Sequence, residues 1–143
     1  MAEPHVMRWD WDAIRAGGAV ALVFAIPFSI AARWAADSRD DSGLAVAFSL
    51  CAVLGFVLGA GCAAWVQRTG TPLSHGLVTA VGTYLAAQAV FALVRLARGQ
   101  DVRWFAIMFN VTVVLAAGLV GGLLGQKLRS RGILPGSRSG RGA

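Results

Sequence analysis

Charge is missing from four long windows of this chain. No Asp, Glu, Lys or Arg occurs in residues 16–32, 42–67, 69–94 or 104–126. A hydrocarbon core of ~30 Å is crossed by about 20 apolar residues of helix, and an ionised side chain inside it is costly. Four such windows, joined by short charged segments, predict an all-α polytopic membrane protein, a bundle of four transmembrane helices. Composition points the same way. Only 14% of the residues are charged, against about 25% in an ordinary soluble domain.

Turn and cap signals set the expected limits. The helices are read at about 13–35, 43–67, 75–97 and 103–129, after a polar interfacial N-terminus (1–12) and before a basic, disordered tail (130–143). The first span is read as a retained helix rather than a cleaved leader, because its upstream segment is mixed in charge and rich in Trp. Pro27 falls inside this span and is read as structural. Asp41 or Ser42 is expected to cap the second helix, and Ser74 the third. Gly70 and Pro72 break the chain between them. Trp9, Trp11, Trp34, Trp65 and Trp104 each fall near a proposed helix end, at the level where an indole is half wet. Tyr84, by contrast, sits near mid-span.

With four spans both termini share one side. That side carries Arg8, Arg15, Arg68, Lys127, Arg129, Arg131, Arg138 and Arg141, eight basic residues, against five (Arg33, Arg39, Arg95, Arg98 and Arg103) on the other. The bias predicts cytoplasmic termini in a multi-pass protein of the plasma membrane, the inner membrane of a bacterium. Twelve of the thirteen basic residues are Arg, which hints at a GC-rich bacterial genome. The net charge of +6 would suggest nucleic acid in a soluble protein. Here the basic residues lie at helix ends and in the tail, so no nucleic-acid partner is expected. Arg68, Lys127, Arg129 and Arg131 are instead read as anchors to the bilayer and its anionic lipid headgroups.

The run GLVGGLLGQKLRSRG at 118–132 resembles a phosphate-binding loop only in composition. A phosphate-cradling loop needs Lys and a hydroxyl directly after its last glycine. Here Gln126 separates Gly125 from Lys127. Gly59 and Gly61 start a dinucleotide pattern that Ala64 ends. The glycines fit helix packing better, because small residues let backbones approach where lipid removes the hydrophobic drive. Gly55 and Gly59, with Ala63, and Gly118 and Gly122, with Gly125 on the neighbouring ridge, mark the expected contact faces of the second and fourth helices. A shift of 63 places Gly55 on Gly118, Gly59 on Gly122, Arg68 on Arg131 and Pro72 on Pro135, making the two hairpins candidate repeats. The first and third helices match poorly.

Ser29, Thr79, Thr83, Tyr84, Gln88, Asn110 and Thr112 are the main polar groups within the spans. Interhelical hydrogen bonds are the simpler reading. Tyr84, Gln88 and Asn110 are the candidates for a polar path. All seven acids lie outside the spans, which removes the intramembrane carboxylate common in ion-coupled transport. His5 and His75 are expected at the surface or interface. No nucleophile stands beside a base, so no catalytic residue is assigned. Cys51 and Cys62 lie three turns apart on one helix, too far to bridge. No metal-spaced cluster accompanies them, and no cofactor or metal is expected.

The ladder GFVLGAGCAAW, the dipeptide His75-Gly76 and the ending AAGLVGGLLGQKL resemble the YrzE-like family of small four-span bacterial membrane proteins of unknown function, over residues 44–129. The resemblance implies four packed helices and supplies no activity. The sequence thus leads to a non-enzymatic integral membrane protein of structural, accessory or scaffolding type. It would self-associate as a homo-oligomer or pack on a larger membrane partner. The alternative is a small channel or transporter acting as an oligomer.

Overall fold

The computed structural model describes residues 9–39, 41–133 and 135. Four helices follow one another: α1 (Trp11–Arg39), α2 (Ser42–Val66), α3 (Pro72–Ala97) and α4 (Trp104–Ser130). Among the described residues there is no strand. The helices contain 29, 25, 26 and 27 residues, so each is about 37–44 Å long at 1.5 Å per residue. All four are long and apolar enough to cross a membrane. The protein is a four-span membrane bundle. The expected N-terminal segment lies largely outside the described residues, as do His5, Arg8 and most of the basic tail with Arg138 and Arg141.

The helix limits differ from expectation where capping chemistry was misplaced. α1 begins two residues early because Asp10 precedes it and accepts the Ala13 N–H through Oδ1 at 3.1 Å. It also extends to Arg39, four residues past the expected limit. Asp41 caps α2, accepting the Leu44 N–H at 2.9 Å. Ser74 does not cap α3. That helix starts at Pro72, after Thr71, whose side chain makes no capping bond. Proline suits a first-turn position because its missing N–H would have had no intrahelical partner. α3 and α4 end alike. Gly99 (φ 67°) and Gly132 (φ 76°) take left-handed backbone. The next N–H in each case returns to a helix carbonyl, Gln100 to Arg95 at 2.9 Å and Ile133 to Leu128 at 3.2 Å. This is the glycine-dependent stop that satisfies otherwise orphaned carbonyls.

α2 is the central helix, touching α1, α3 and α4; α3 also touches α4 and α1, whereas α1 and α4 do not meet among the described residues. Glycines set the closest approaches, and they do so on three separate faces. Gly59 meets α1, where an added methyl would stand 2.5 Å from the Gly17 carbonyl oxygen. Gly121 and Gly125 meet α2. A methyl at Gly125 would stand 2.5 Å from the Gly61 oxygen, and one at Gly121 would run into the Val57 carbonyl. Gly118 and Gly122 meet α3.

The glycines are not equally demanding. A methyl at Gly122 would find Leu73 at an ordinary 3.4 Å. Gly122 instead makes room for Gly76, whose added methyl would fall 2.9 Å from the Gly122 Cα. The two hairpins nevertheless use equivalent positions. Gly55 and Gly59 seal α2 to α1, and Gly118 and Gly122 seal α4 to α3.

Candidate functional site

The bundle has two unlike ends. The terminal end carries the start of α1, the α2–α3 turn and the end of α4. The loop end carries the α1–α2 and α3–α4 connections. At the loop end a crevice of about 630 Å³ opens between the helices, within the ~300–1,000 Å³ typical of small-molecule sites. Its walls bring together Tyr84, Gln88 and Asn110, the three residues read from the sequence as a polar path, and add Ser29 of α1. The Tyr84 hydroxyl donates to the Ile107 carbonyl at 3.3 Å. Arg33, Arg95 and Arg103 stand at the mouth with Asp37.

The floor of the crevice is aromatic. Phe56 and Tyr84 are both buried and meet edge to face, with ring centroids 6.1 Å apart. Below them α1 closes on α3 through its paired glycines. A methyl on Gly18 would lie 2.9 Å from the Thr83 hydroxyl, and one on Gly17 would lie 3.0 Å from the Thr79 methyl. The glycine pair thus lets two helices touch in one half of the bundle. In the other half, where α1 carries Leu22, Ile26 and Ile30, they stand apart. Thr79 is fully buried, and its hydroxyl has no hydrogen-bond partner among the described residues.

His75 lies a turn beyond Thr79, in the first turn of α3, and is fully buried rather than on the bundle surface. Its Nε2 accepts the Asp10 backbone N–H at 3.0 Å. An N–H can only donate, so the ring proton resides on Nδ1, which donates to the Thr71 carbonyl at 2.9 Å. Trp9 covers the ring at 5.3 Å, so this indole is held by protein. The Asp10 carboxylate also accepts the Arg68 N–H at 3.1 Å. The Ala13 N–H, and after it the Arg68 N–H, hold this carboxyl below its usual range against the opposing effect of burial. Gln67 closes the junction. Its side-chain oxygen accepts from the Thr69 and Gly70 N–H groups at 2.8 and 2.9 Å, while its Nε2 is buried with no partner among the described residues.

The basic residues of the terminal end divide. Lys127 and Arg131 are exposed. Arg129 is half-buried and donates to the Gln67 carbonyl at the end of α2. Arg68 has an exposed side chain, while its backbone N–H binds Asp10. Trp65 donates to the Ile133 carbonyl at 2.5 Å, tying α2 to the chain beyond α4.

Sequence reasoning found the glycines of α2 and α4 but missed their partners, Gly17 on α1 and Gly76 on α3. It read Arg33, Arg95 and Arg103 only as topology signals. Their place at helix ends facing the same polar trio was the available clue. Cys51 and Cys62 are half-buried free thiols. Among the described residues no group of three His, Cys, Asp or Glu is placed to hold a metal. No family model, curated protein or solved structure matches the chain.

Proposed function

We propose that this chain is a non-enzymatic accessory protein of the plasma membrane that holds an amphiphilic molecule in its loop-end crevice. The observation that carries this reading is the crevice itself, in which one wall sequence supplies apolar surface and the trio Tyr84, Gln88 and Asn110 supplies polar contacts. Such a mixture is what a small-molecule site uses for affinity and orientation. Lys/Arg counting puts both termini in the cytoplasm, so the crevice faces the opposite side. The floor at Phe56 and Tyr84, and the α1–α3 closure beneath it, support a one-sided pocket over an open pore.

A transporter is the second reading, and one observation favours it. The polar residues of α3 do not stop at the floor: Gln88 and Tyr84 are followed by Thr83, the orphaned Thr79 hydroxyl and His75. Separation of α1 from α3 would join this column to the crevice. Two measurements divide the readings. The accessory protein retains a co-purifying amphiphile that Ala87→Phe, which fills the crevice, displaces, and proteoliposomes show no flux of ions or small solutes above the empty control. Flux that Gly17→Leu or Thr79→Val alters, with nothing bound in the crevice, would replace the accessory reading by the transporter.

A further inference from the structure

We infer that the occupant of the crevice is an anionic phospholipid, its phosphate held by Arg33, Arg95 and Arg103 and one acyl chain lying along the groove down to Phe56 and Tyr84. The inference rests on the crevice being a binding site and adds what it binds. Three independent features lead there.

The first is depth. Arg33 and Leu22 on α1, and Arg95 and Tyr84 on α3, mark the mouth and floor. Eleven residues of helix separate each pair, or about 16 Å at 1.5 Å per residue. That is about half of a ~30 Å hydrocarbon core, the depth of one leaflet. The arginines therefore stand at headgroup level when the floor is near the bilayer midplane.

The second is charge. The mouth arginines come from three different elements, α1, α3 and the residue preceding α4, and converge on one opening. Asp37 is the acidic residue among the lining groups, which leaves the rim net positive. Arg95 is steadied by donating to the Asp101 carbonyl at 3.3 Å. Planar guanidinium groups bind phosphate oxygens in pairs of hydrogen bonds, which ammonium groups do not.

The third is the side opening. Ile26, Ile30 and Phe91 line the crevice and are also 46%, 62% and 56% exposed. The groove therefore communicates with the lipid-facing surface between α1 and α3, so a two-chain lipid enters sideways and leaves its second chain in the bilayer. Ser29, one turn below Arg33, then meets the ester region. A soluble anion would use the arginines but leave this apolar groove without a purpose.

Native mass spectrometry of the full chain in neutral detergent tests this with phosphatidylglycerol and phosphatidylcholine of identical acyl chains. The inference expects phosphatidylglycerol to bind at least ~10-fold more tightly. Each arginine near an anionic lipid contributes about 5-fold, so R33Q/R95Q/R103Q should lose on the order of 100-fold for phosphatidylglycerol and little for phosphatidylcholine. Asp37→Asn should tighten phosphatidylglycerol by a few-fold, and Arg15→Gln, at the far end, should leave it unchanged. Equal binding of the two lipids by the wild type, or a triple variant that binds as before, would overturn the anionic assignment. Inorganic phosphate that binds as tightly as phosphatidylglycerol would overturn the lipid in favour of a free anion. Ala87→Phe, checked for unchanged melting, separates the two levels. If it abolishes binding of both lipids while the arginines prove neutral, the pocket stands and its ligand class falls. If it affects neither lipid, the pocket itself falls.

Discussion

The two halves of this bundle are built from the same four helices and behave oppositely. In the terminal half, Gly17 and Gly59 bring α1 and α2 so close that one methyl group would meet backbone. In the loop half, the same α1 stands away from α3, and a crevice of about 630 Å³ opens among the four helices. Burying apolar surface gains little in a bilayer, where lipid tails are as apolar as leucine. Contact is therefore set by how closely backbones approach, and a helix pair seals where it is smooth and opens where it is not. The sealed half supplies rigidity, and the open half supplies a place for a ligand.

The comparison is broken most strongly at the tightest glycines. Gly121→Ala and Gly59→Ala each push a methyl group into a backbone carbonyl that has no rotamer to adopt. Each should cost about 1–3 kcal/mol, the range for an overpacked core, read as a lowered midpoint of denaturation in detergent. Unchanged midpoints in both would remove the close-packing account.

A smaller effect is expected at Asp10. Replacing a capping carboxylate by alanine costs about 1 kcal/mol. The depressed pKa of this group means that its contribution is complete above the ordinary Asp value of about 3.9 and is lost as pH falls through the lower folded value. The gap in melting temperature between wild type and Asp10→Ala should thus be full near neutrality and close in strong acid. A gap that persists there would assign the loss to packing around Trp9 rather than to the carboxylate.

The smallest effects sharpen the comparison. A methyl at Gly82 would meet nothing within 4 Å, so Gly82→Ala should gain a few tenths to about 1 kcal/mol from helix propensity alone. Gly122→Ala should be close to neutral. A ranking in which Gly122 is as sensitive as Gly59 would show that the sequence repeat, and not the observed spacing, predicts packing.

The spans were legible because hydropathy is a local property, readable without knowing what packs where. Glycine spacing located the contact faces of α2 and α4 but could not name their partners, since a smooth face has no complementary pattern to search for. The burial of His75 was illegible for a different reason. Its acceptor role is satisfied by a backbone N–H that lies 65 residues away in sequence, and backbone groups leave no mark on residue type. The polar trio was partly legible. Tyr84 and Gln88 share a face by their one-turn spacing, but the role of Asn110 and of the three arginines depends on α1 and α3 diverging, a property of the assembled bundle.

Thiol labelling tests the contrast between the halves most directly. In a Cys51→Ala, Cys62→Ala background, single cysteines at Ala87 in the crevice and at Thr79 in the closure are exposed to a small water-soluble thiol reagent in folded protein. The open-half, sealed-half account predicts that A87C reacts at least ~10-fold faster than T79C, since access governs thiol reactivity. Equal rates at the two positions would contradict it.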